Sequence, residues 1–439
     1  MSSHFFARNF ARLVSIALAA FFGLISVAAF ASEPPLTLAS ALQLATGRSR
    51  LLTAQDMAVN ASREMAVAAG QLPDPVLKFG IDNLPINGTD KFSLGNDFMT
   101  MRRVGVMQEI TRDDKRQSRA ERYLRSAEKS TAEKLVAVAQ VQRDTALAWL
   151  DRYYAEQVSA VVAEQVAQAG LEIEAADAAY RSGRGSQADV FTARSALAAA
   201  DDRHSEAKLR VRNTKAMLAR WTGGSLDTPL AAMPAMDMTP IRSNPAEFDV
   251  QLAHHPQIAV LTKQVEIAQA EAKLTQANKN TDWSVEVAYQ QRGAAYANMI
   301  SIGLSLPLQW DQKNRQDREL SSKLAMVEQA MAERDETLRM HQLETRNLVD
   351  EWENNRTRIA RFERELIPLS AQRTEATMAA YRGGKTSLSD LLAARRNEID
   401  VRIQALQLQA DTARLWAQLN FLIPTDGNDL HLAANGELK

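Results

Sequence analysis

The alternation of apolar and small polar residues is sharpest between Met299 and Trp310. There Ile300, Ile302, Leu304, Leu306 and Leu308 fall on one face and Ser301, Gly303 and Ser305 on the other. A period of two is that of an extended strand with one apolar face. Trp283, Val285, Val287 and Tyr289 alternate in the same way, so Trp283 to Gln290 is the expected partner strand. Two weaker alternations, Val76 to Asp82 and Met101 to Ile110, predict an earlier hairpin. After the last strand the period changes to seven. Leu324, Met331, Leu338, Thr345, Trp352, Ile359 and Leu366 form one line, and Leu320, Val327, Leu348, Phe362 and Leu369 form a companion, interrupted by Arg334, His341 and Asn355. A heptad seam of this length predicts a coiled-coil helix from about Gln312 to Tyr381. About 70 residues at ~1.5 Å each reach roughly 105 Å. Pro368 lies inside it and predicts a kink or a local loosening, because proline has no N–H and crowds the preceding turn.

The same pattern is written twice. Ala178 to Arg194 (AAYRSGRGSQADVFTAR) matches Ala379 to Arg395 (AAYRGGKTSLSDLLAAR) at an offset of 201. Val104 to Lys115 matches Ile302 to Lys313 at an offset of 198, and Leu52 matches Leu261 at 209. The largest drift falls in the Gly/Asn/Asp-rich stretch NLPINGTDKFSLGND, which reads as a loop. Each unit therefore runs helix, strand, loop, strand, very long helix, tight turn, helix. The short helices expected at Leu38 to Gly70 and Gln187 to Trp221 together match one long helix, so two short helices stacked end to end are expected to face it. The expected organisation is a signal segment over 1–31, a first repeat over 32–223, a linker over 224–245, a second repeat over 246–425 and a tail over 426–439. The fold class is mainly α with a small β part.

Composition narrows the function. With 18 Gly and 13 Pro in 439 residues, breakers are scarce, as long helices require. No cysteine is present, which excludes disulfides, thiolate metal sites and a lipidated N-terminal cysteine. Lys and Arg number 52 against 53 Asp and Glu, leaving no basic excess for nucleic acid. Arg8 and Arg12, the apolar run Leu13 to Phe30 and the small-x-small site Ala29-Phe30-Ala31 form a cleavable secretory signal, an uncleaved anchor being the alternative. No nucleophile elbow, P-loop, dinucleotide fingerprint or zinc-protease helix occurs, so no enzyme activity, cofactor or metal site is expected. His254 and His255 precede Pro256 and read as a helix-junction turn, and His341 reads as a register-setting polar residue on the seam. Met99, Met101 and Met107 read as strand packing rather than soft-metal ligands.

Four strands cannot close a membrane barrel, which needs at least about eight. If the strands enter a membrane, several chains must share one barrel, because lipid tolerates no open sheet edge. Trp283 and Trp310 would then lie at one interfacial depth. The alternative is a soluble α+β domain with these tryptophans in its core. The doubled Y-x-x-G-x-x-S-x-x-D turns, GQLPDPVLKFGIDNLPING from Gly70 and VGVMQEI from Val104 resemble TolC-type outer-membrane factors across the whole mature chain. The LPDP and NLP segment most resembles the heavy-metal (CzcC-like and CusC-like) branch. The resemblance implies a homotrimer with a twelve-stranded barrel in outer-membrane lipid above a helical tunnel through the periplasm of a Gram-negative cell. It also implies docking on a periplasmic adaptor protein and an inner-membrane resistance-nodulation-division pump. A periplasmic coiled-coil structural or adaptor protein, and a duct for organic drugs, are the other readings carried forward.

At the turns, Gly183 and Gly384 end the long helices, where a positive φ is needed. Ser186 with Asp189, and Ser387 with Asp390, each fit a capping box. The resemblance adds that these turns form the tunnel's periplasmic tip, with Asp390 in a ring of carboxylates and Asp189 beside it. It also places Tyr381 among the gating links. Where a basic partner is expected, this chain has Thr386, with Lys385 adjacent, and Ala393 replaces a second acid.

Overall fold

The computed structural model describes residues 34–236, 252–253 and 255–424. The expected signal segment, the later part of the linker, His254 and the expected tail lie outside the described residues. In chain order the elements are α1 (Leu38–Arg48), α2 (Arg50–Ala69), β1 (Val76–Asp82), β2 (Met101–Ile110), α3 (Asp113–Arg181) and α4 (Gln187–Thr222). Then follow α5 (Pro256–Ala277), β3 (Trp283–Gln291), β4 (Met299–Ser305), α6 (Gln316–Arg361), a π-helical segment (Phe362–Leu366), α7 (Ile367–Arg382) and α8 (Leu388–Asn420).

α3 is unbroken over 69 residues. Toward the sheet it packs against α2 and α5, and toward the far turns against α4 and α8. The expected pair of stacked short helices facing a long one is thus present. Three boundaries differ from expectation. The helix expected over Leu38 to Gly70 is interrupted at Ser49, which is extended (φ −65°, ψ 114°). The break lays the Arg48 guanidinium against Gly223, the left-handed C-cap of α4 (φ 71°), where a Cβ would collide with it. The last strand stops at Ser305 rather than Trp310, because Pro307 has no N–H to give to a ladder. The second long helix begins at Gln316, after a turn in which the Asp311 carboxylate accepts from the Asn314 backbone and side-chain nitrogens.

The expected loosening at Pro368 takes a definite form. The Ile367 N–H bonds to the Phe362 carbonyl, five residues back, and Phe362–Leu366 is π-helical. A π-turn holds one more residue than an α-turn. Between the hairpin and the far turn the repeat offset grows from 198 to 201, so the second arm carries extra residues over the same span. The widened turn absorbs part of that excess.

The main core lies midway along the helices. Trp149 and Leu150 of α3, Trp352 of α6, Trp416 and Leu419 of α8, Leu42 of α1 and Leu218 of α4 are all buried there. The first part of the linker closes over it. The Leu36 N–H donates to the Pro229 carbonyl (2.8 Å), and the Trp149 indole donates to the Leu36 carbonyl (3.0 Å). The buried Arg152 donates to the Thr228 carbonyl (2.7 Å) and pairs with Glu156 (2.9 Å).

The four strands form one antiparallel sheet in the order β1-β2-β3-β4, so the hairpins of the two repeats are joined through β2 and β3. Phe79, Val104, Tyr289 and Ile300 fall in one row across it, and Leu77, Val106, Val287 and Ile302 in the next. These rows make one face apolar. The opposite face carries Lys78, Gly80, Arg103, Gly105, Glu286, Ala288, Ser301 and Gly303.

Candidate functional site: the sheet wall and the far turns

The apolar face of the sheet has no cover. Ile300, Ile302 and Leu304 are 70–78% exposed, and Phe79 is 73% exposed. Leu306, Leu308 and Trp310 continue this exposed surface past the end of β4, and Trp283 is also exposed. The opposite face is polar and internally paired at its centre, with Val76, Met101, Met107 and Met299 toward its ends. Glu286 binds Lys78 at 2.8 Å and also holds Arg103, which reaches toward Asp82 (3.9 Å). Edges β1 and β4 each have one neighbour only. At the root of the sheet the buried Lys115 pairs with Asp282 (2.7 Å), which also accepts from the Arg112 backbone N–H (3.0 Å). These bonds fix the angle at which the hairpins leave the helices. Apolar outside, polar and ion-paired inside, with two open edges, is the pattern of a segment of barrel wall.

The far turns are built alike. Gly183 and Gly384 take φ of 71° and 69°, the left-handed region, and a Cβ there would meet the strain of that backbone rather than a neighbour. Each turn returns its N–H groups to the helix it ends. The Arg184 N–H donates to the Ala179 carbonyl and the Lys385 N–H to the Ala380 carbonyl, both at 2.9 Å. Ser186 and Ser387 then cap α4 and α8 through complete capping boxes. The Asp189 Oδ2 accepts from the Ser186 N–H and Oγ, both at 2.8 Å. The Asp390 Oδ2 accepts from Ser387 Oγ (2.6 Å), Thr386 Oγ1 (2.8 Å) and the Ser387 N–H (3.2 Å). Hydrogen bonds from Ser387 and Thr386 hold the Asp390 carboxyl below the usual carboxylate range, and those from Ser186 do the same for Asp189. Asp390 is exposed and Asp189 half-buried.

The turns meet in a small apolar cluster of Ala176, Val190, Ala193, Leu388 and Leu391, with Tyr381 and Leu392 packed against it. Val190 and Leu391 are repeat equivalents, so the two hairpins contact through matching positions. Asp189, Tyr381, Lys385 and Asp390 are thus brought to one end of the molecule. No hydrogen bond joins Asp189 to Tyr381, and Lys385 makes no ion pair among the described residues.

Three features escaped the sequence. Thr386, set down there as a departure from a basic residue, is a donor to Asp390. Arg395 closes the repeated motif and pairs with Glu172 of α3 at 2.9 Å while donating to the Gln168 Oε1 at 2.7 Å. His255 and His341 lie side by side, their rings tilted by 33° and their centroids 5.0 Å apart. The repeat alignment alone marked Arg395, and no local pattern marked the histidine pair. Among the described residues no group of three His, Cys, Asp or Glu is placed to hold a metal, and no helix is long and apolar enough to cross a membrane.

The outer-membrane channel OprN superposes with a TM-score of 0.74 at 15% identity, over 89% of this chain and 90% of OprN. The chain has the fold of the TolC-type outer-membrane channels. CusC, described for transmembrane channel formation, gives a TM-score of 0.70 at 14% identity, over 88% of this chain and 92% of CusC. By sequence, the cobalt-zinc-cadmium resistance protein CzcC of Cupriavidus metallidurans is 23% identical over 86% of this chain and 87% of that protein. No family model matches the chain. The resemblance drawn from the repeated turns and the LPDP segment is therefore borne out. The soluble α+β alternative, with its tryptophans in the core, fails at Trp310, which is 88% exposed.

Proposed function

We propose that this chain is the outer-membrane subunit of a tripartite efflux system and acts as a passive, non-enzymatic duct. Its two repeats, 32–223 and 246–425, each supply one β-hairpin to the sheet wall and one helical hairpin to the tunnel wall. A cleaved signal peptide over 1–31 exports it. Three copies form a homotrimer and pool their sheets into a twelve-stranded barrel in outer-membrane lipid. The helices enclose a periplasmic duct whose narrow end meets an adaptor protein and a resistance-nodulation-division pump. The observation that carries this reading is the four-stranded sheet, apolar and uncovered on one face, ion-paired on the other and open at both edges. In water such a face is a liability, and in lipid such edges must be closed by other copies.

At the narrow end Asp390 lines the bore as a ring of carboxylates, with Asp189 and Tyr381 at the seam between hairpins and Lys385 flanking the turn. Crowded carboxylates favour cation occupancy. The cargo is heavy-metal cations, a reading supported by the similarity to CzcC. The test is growth of a deletion strain on graded zinc, cobalt, cadmium, nickel, copper and silver salts, beside dyes and antibiotics. Selective metal sensitivity restored by the wild-type gene is expected. Sensitivity to organic compounds alone would reassign the cargo and leave the duct intact.

A further inference from the structure

The uncovered face of the sheet is apolar along most of its length, yet at its loop end it carries a cation. Arg102 stands in one row with Ile81 and Gln291, next to the row of Phe79, Val104, Tyr289 and Ile300 and nearer the loops. Alternation along β2 puts its side chain on the same side as Val104 and Val106, and it is exposed. The hairpin itself does not dictate a cation there. At the repeat offset of 198 the equivalent of Arg102 is Ile300, an ordinary member of the apolar face.

Arg102 is also short of partners. Its guanidinium donates to the Arg292 carbonyl (3.3 Å), and among the described residues no acid pairs with it. The acids at this end are engaged elsewhere. Asp82 turns to the opposite face, toward Arg103 (3.9 Å). The Asp97 Oδ2 accepts from the Met99 and Thr100 N–H groups (2.9 and 3.0 Å). Gln108 makes the contrast, because it lies on the same face of β2 at the helix end and is satisfied by the Pro73 carbonyl (2.7 Å). Beside Arg102 the face offers further polar groups, the exposed Gln291 directly across and the exposed Tyr289 on the diagonal. In the loop joining β1 to β2, Lys91 stands over the exposed Phe92 ring (5.1 Å) and adds positive charge on that side.

Depth then suggests the ligand. β2 has 10 residues, and a tilted strand needs about 9–11 to cross the hydrocarbon layer. With the helical arm in the periplasm, Arg102, second from the loop end of β2, falls at the outer margin of that layer. A cation on the lipid face costs little at that depth, and a guanidinium fork matches the oxygens of a phosphate. The lipid of the outer leaflet is lipopolysaccharide, whose lipid A carries phosphates just above its acyl chains. We propose that Arg102, with Gln291 and Tyr289, binds a lipid A phosphate while the acyl chains lie along the rows below, so that each copy holds one outer-leaflet glycolipid at a defined site. This rests on the duct reading, which puts the sheet in the outer membrane.

The test is native mass spectrometry of the purified full-length trimer in detergent, titrated with diphosphoryl lipid A, dephosphorylated lipid A or phosphatidylglycerol. Wild type is expected to take up diphosphoryl lipid A, up to one per copy. Arg102→Gln is expected to bind it about tenfold more weakly, as the loss of one charge-assisted contact implies, with trimer yield kept. Dephosphorylated lipid A is expected to bind both proteins alike and weakly. Arg112→Gln, an exposed cation at the helix end of the sheet, is expected to match wild type. Unchanged affinity in an assembled Arg102→Gln trimer would overturn the proposal. So would phosphatidylglycerol binding as tightly as diphosphoryl lipid A with the same dependence on Arg102, which would make the site a reader of any lipid phosphate. A wild-type chain that yields no detergent-stable trimer would instead strike the duct reading, and this proposal with it.

Discussion

Gly105 and Ala288 face each other across β2 and β3 so closely that a Cβ on Gly105 would stand 2.9 Å from the Ala288 Cβ. The pair lies on the polar face of the sheet, in one row with Lys78 and Ser301, and Ala288 is buried. The two strands approach closely at this point, and the glycine leaves the room for it.

Gly105→Val is therefore expected to disrupt the wall. Overpacking at a close backbone contact costs about 1–3 kcal/mol in each copy. The yield of detergent-resistant trimer from outer-membrane fractions should fall sharply. Gly80→Ser, where a Cβ would approach only the Asp82 carboxylate at 3.9 Å, should leave it near wild type.

The two faces of β4 make opposite predictions. Ile302→Lys puts a charge on the uncovered apolar face, a change costing roughly 2–4 kcal/mol at the middle of a bilayer. Ser301→Lys, one residue earlier, points to the polar face and should be tolerated. Urea titration of trimers refolded into lipid vesicles should separate the two variants by that amount.

Asp390→Ala is expected to weaken block by divalent and trivalent cations, and unchanged block would remove Asp390 from the bore. The capping role brings its own pH dependence. Hydrogen bonds from Ser387 and Thr386 depress the carboxyl, so the stability it gives the turn is present above the ordinary value of 3.8 and is lost as pH falls through the lower folded value. Proteolysis at the Gly384 turn should accelerate only at such strongly acidic pH in wild type, and at neutral pH in Ser387→Ala.

His255 supplies a second pH dependence, at the central junction. Its Nδ1 accepts from the Gln257 N–H (3.2 Å), capping α5, and its ring also bonds to the Leu422 carbonyl. Burial, with the His341 ring beside it, pushes its pKa down to about 4. Glu344, 3.8 Å from the His341 Nδ1, is the nearby acid. Because the folded value lies below the ordinary 6.5, the neutral ring's contribution is complete above about pH 6.5 and is lost as pH falls toward 4. His255→Asn keeps a capping acceptor without a titrating ring, so its melting temperature should vary less between pH 7 and pH 4. His255→Ala should cost about 1 kcal/mol at pH 7.

Much of this was legible in the chain because long-period patterns are local. Two of the four strands, Val76–Asp82 and Met101–Ile110, have the expected boundaries, since neither contains a proline and both end at loop residues. β4 was over-extended because alternation continues through Leu306 and Leu308, and the hydrogen-bonding deficit of Pro307 outweighs it. Pro368 announced a loosening, but the π-turn needed the offset change between hairpin and turn to acquire a cause. The pairing of β2 with β3 joins residues some 180 positions apart, and nothing in either strand specifies it. The contacts of Arg395 with Glu172 and of His255 with His341 were hidden for the same reason. Each partner sits on a different helix, and only the packing of those helices brings them together.

The most direct test of the central claim is electrical recording from the protein extracted with detergent from outer membranes. The account predicts a trimer that inserts into planar bilayers, conducts, and is blocked by multivalent cations from the side of the helical arm. A protein recovered without detergent as a monomer, with no conductance at any concentration, would contradict it and return the chain to the periplasmic structural proteins.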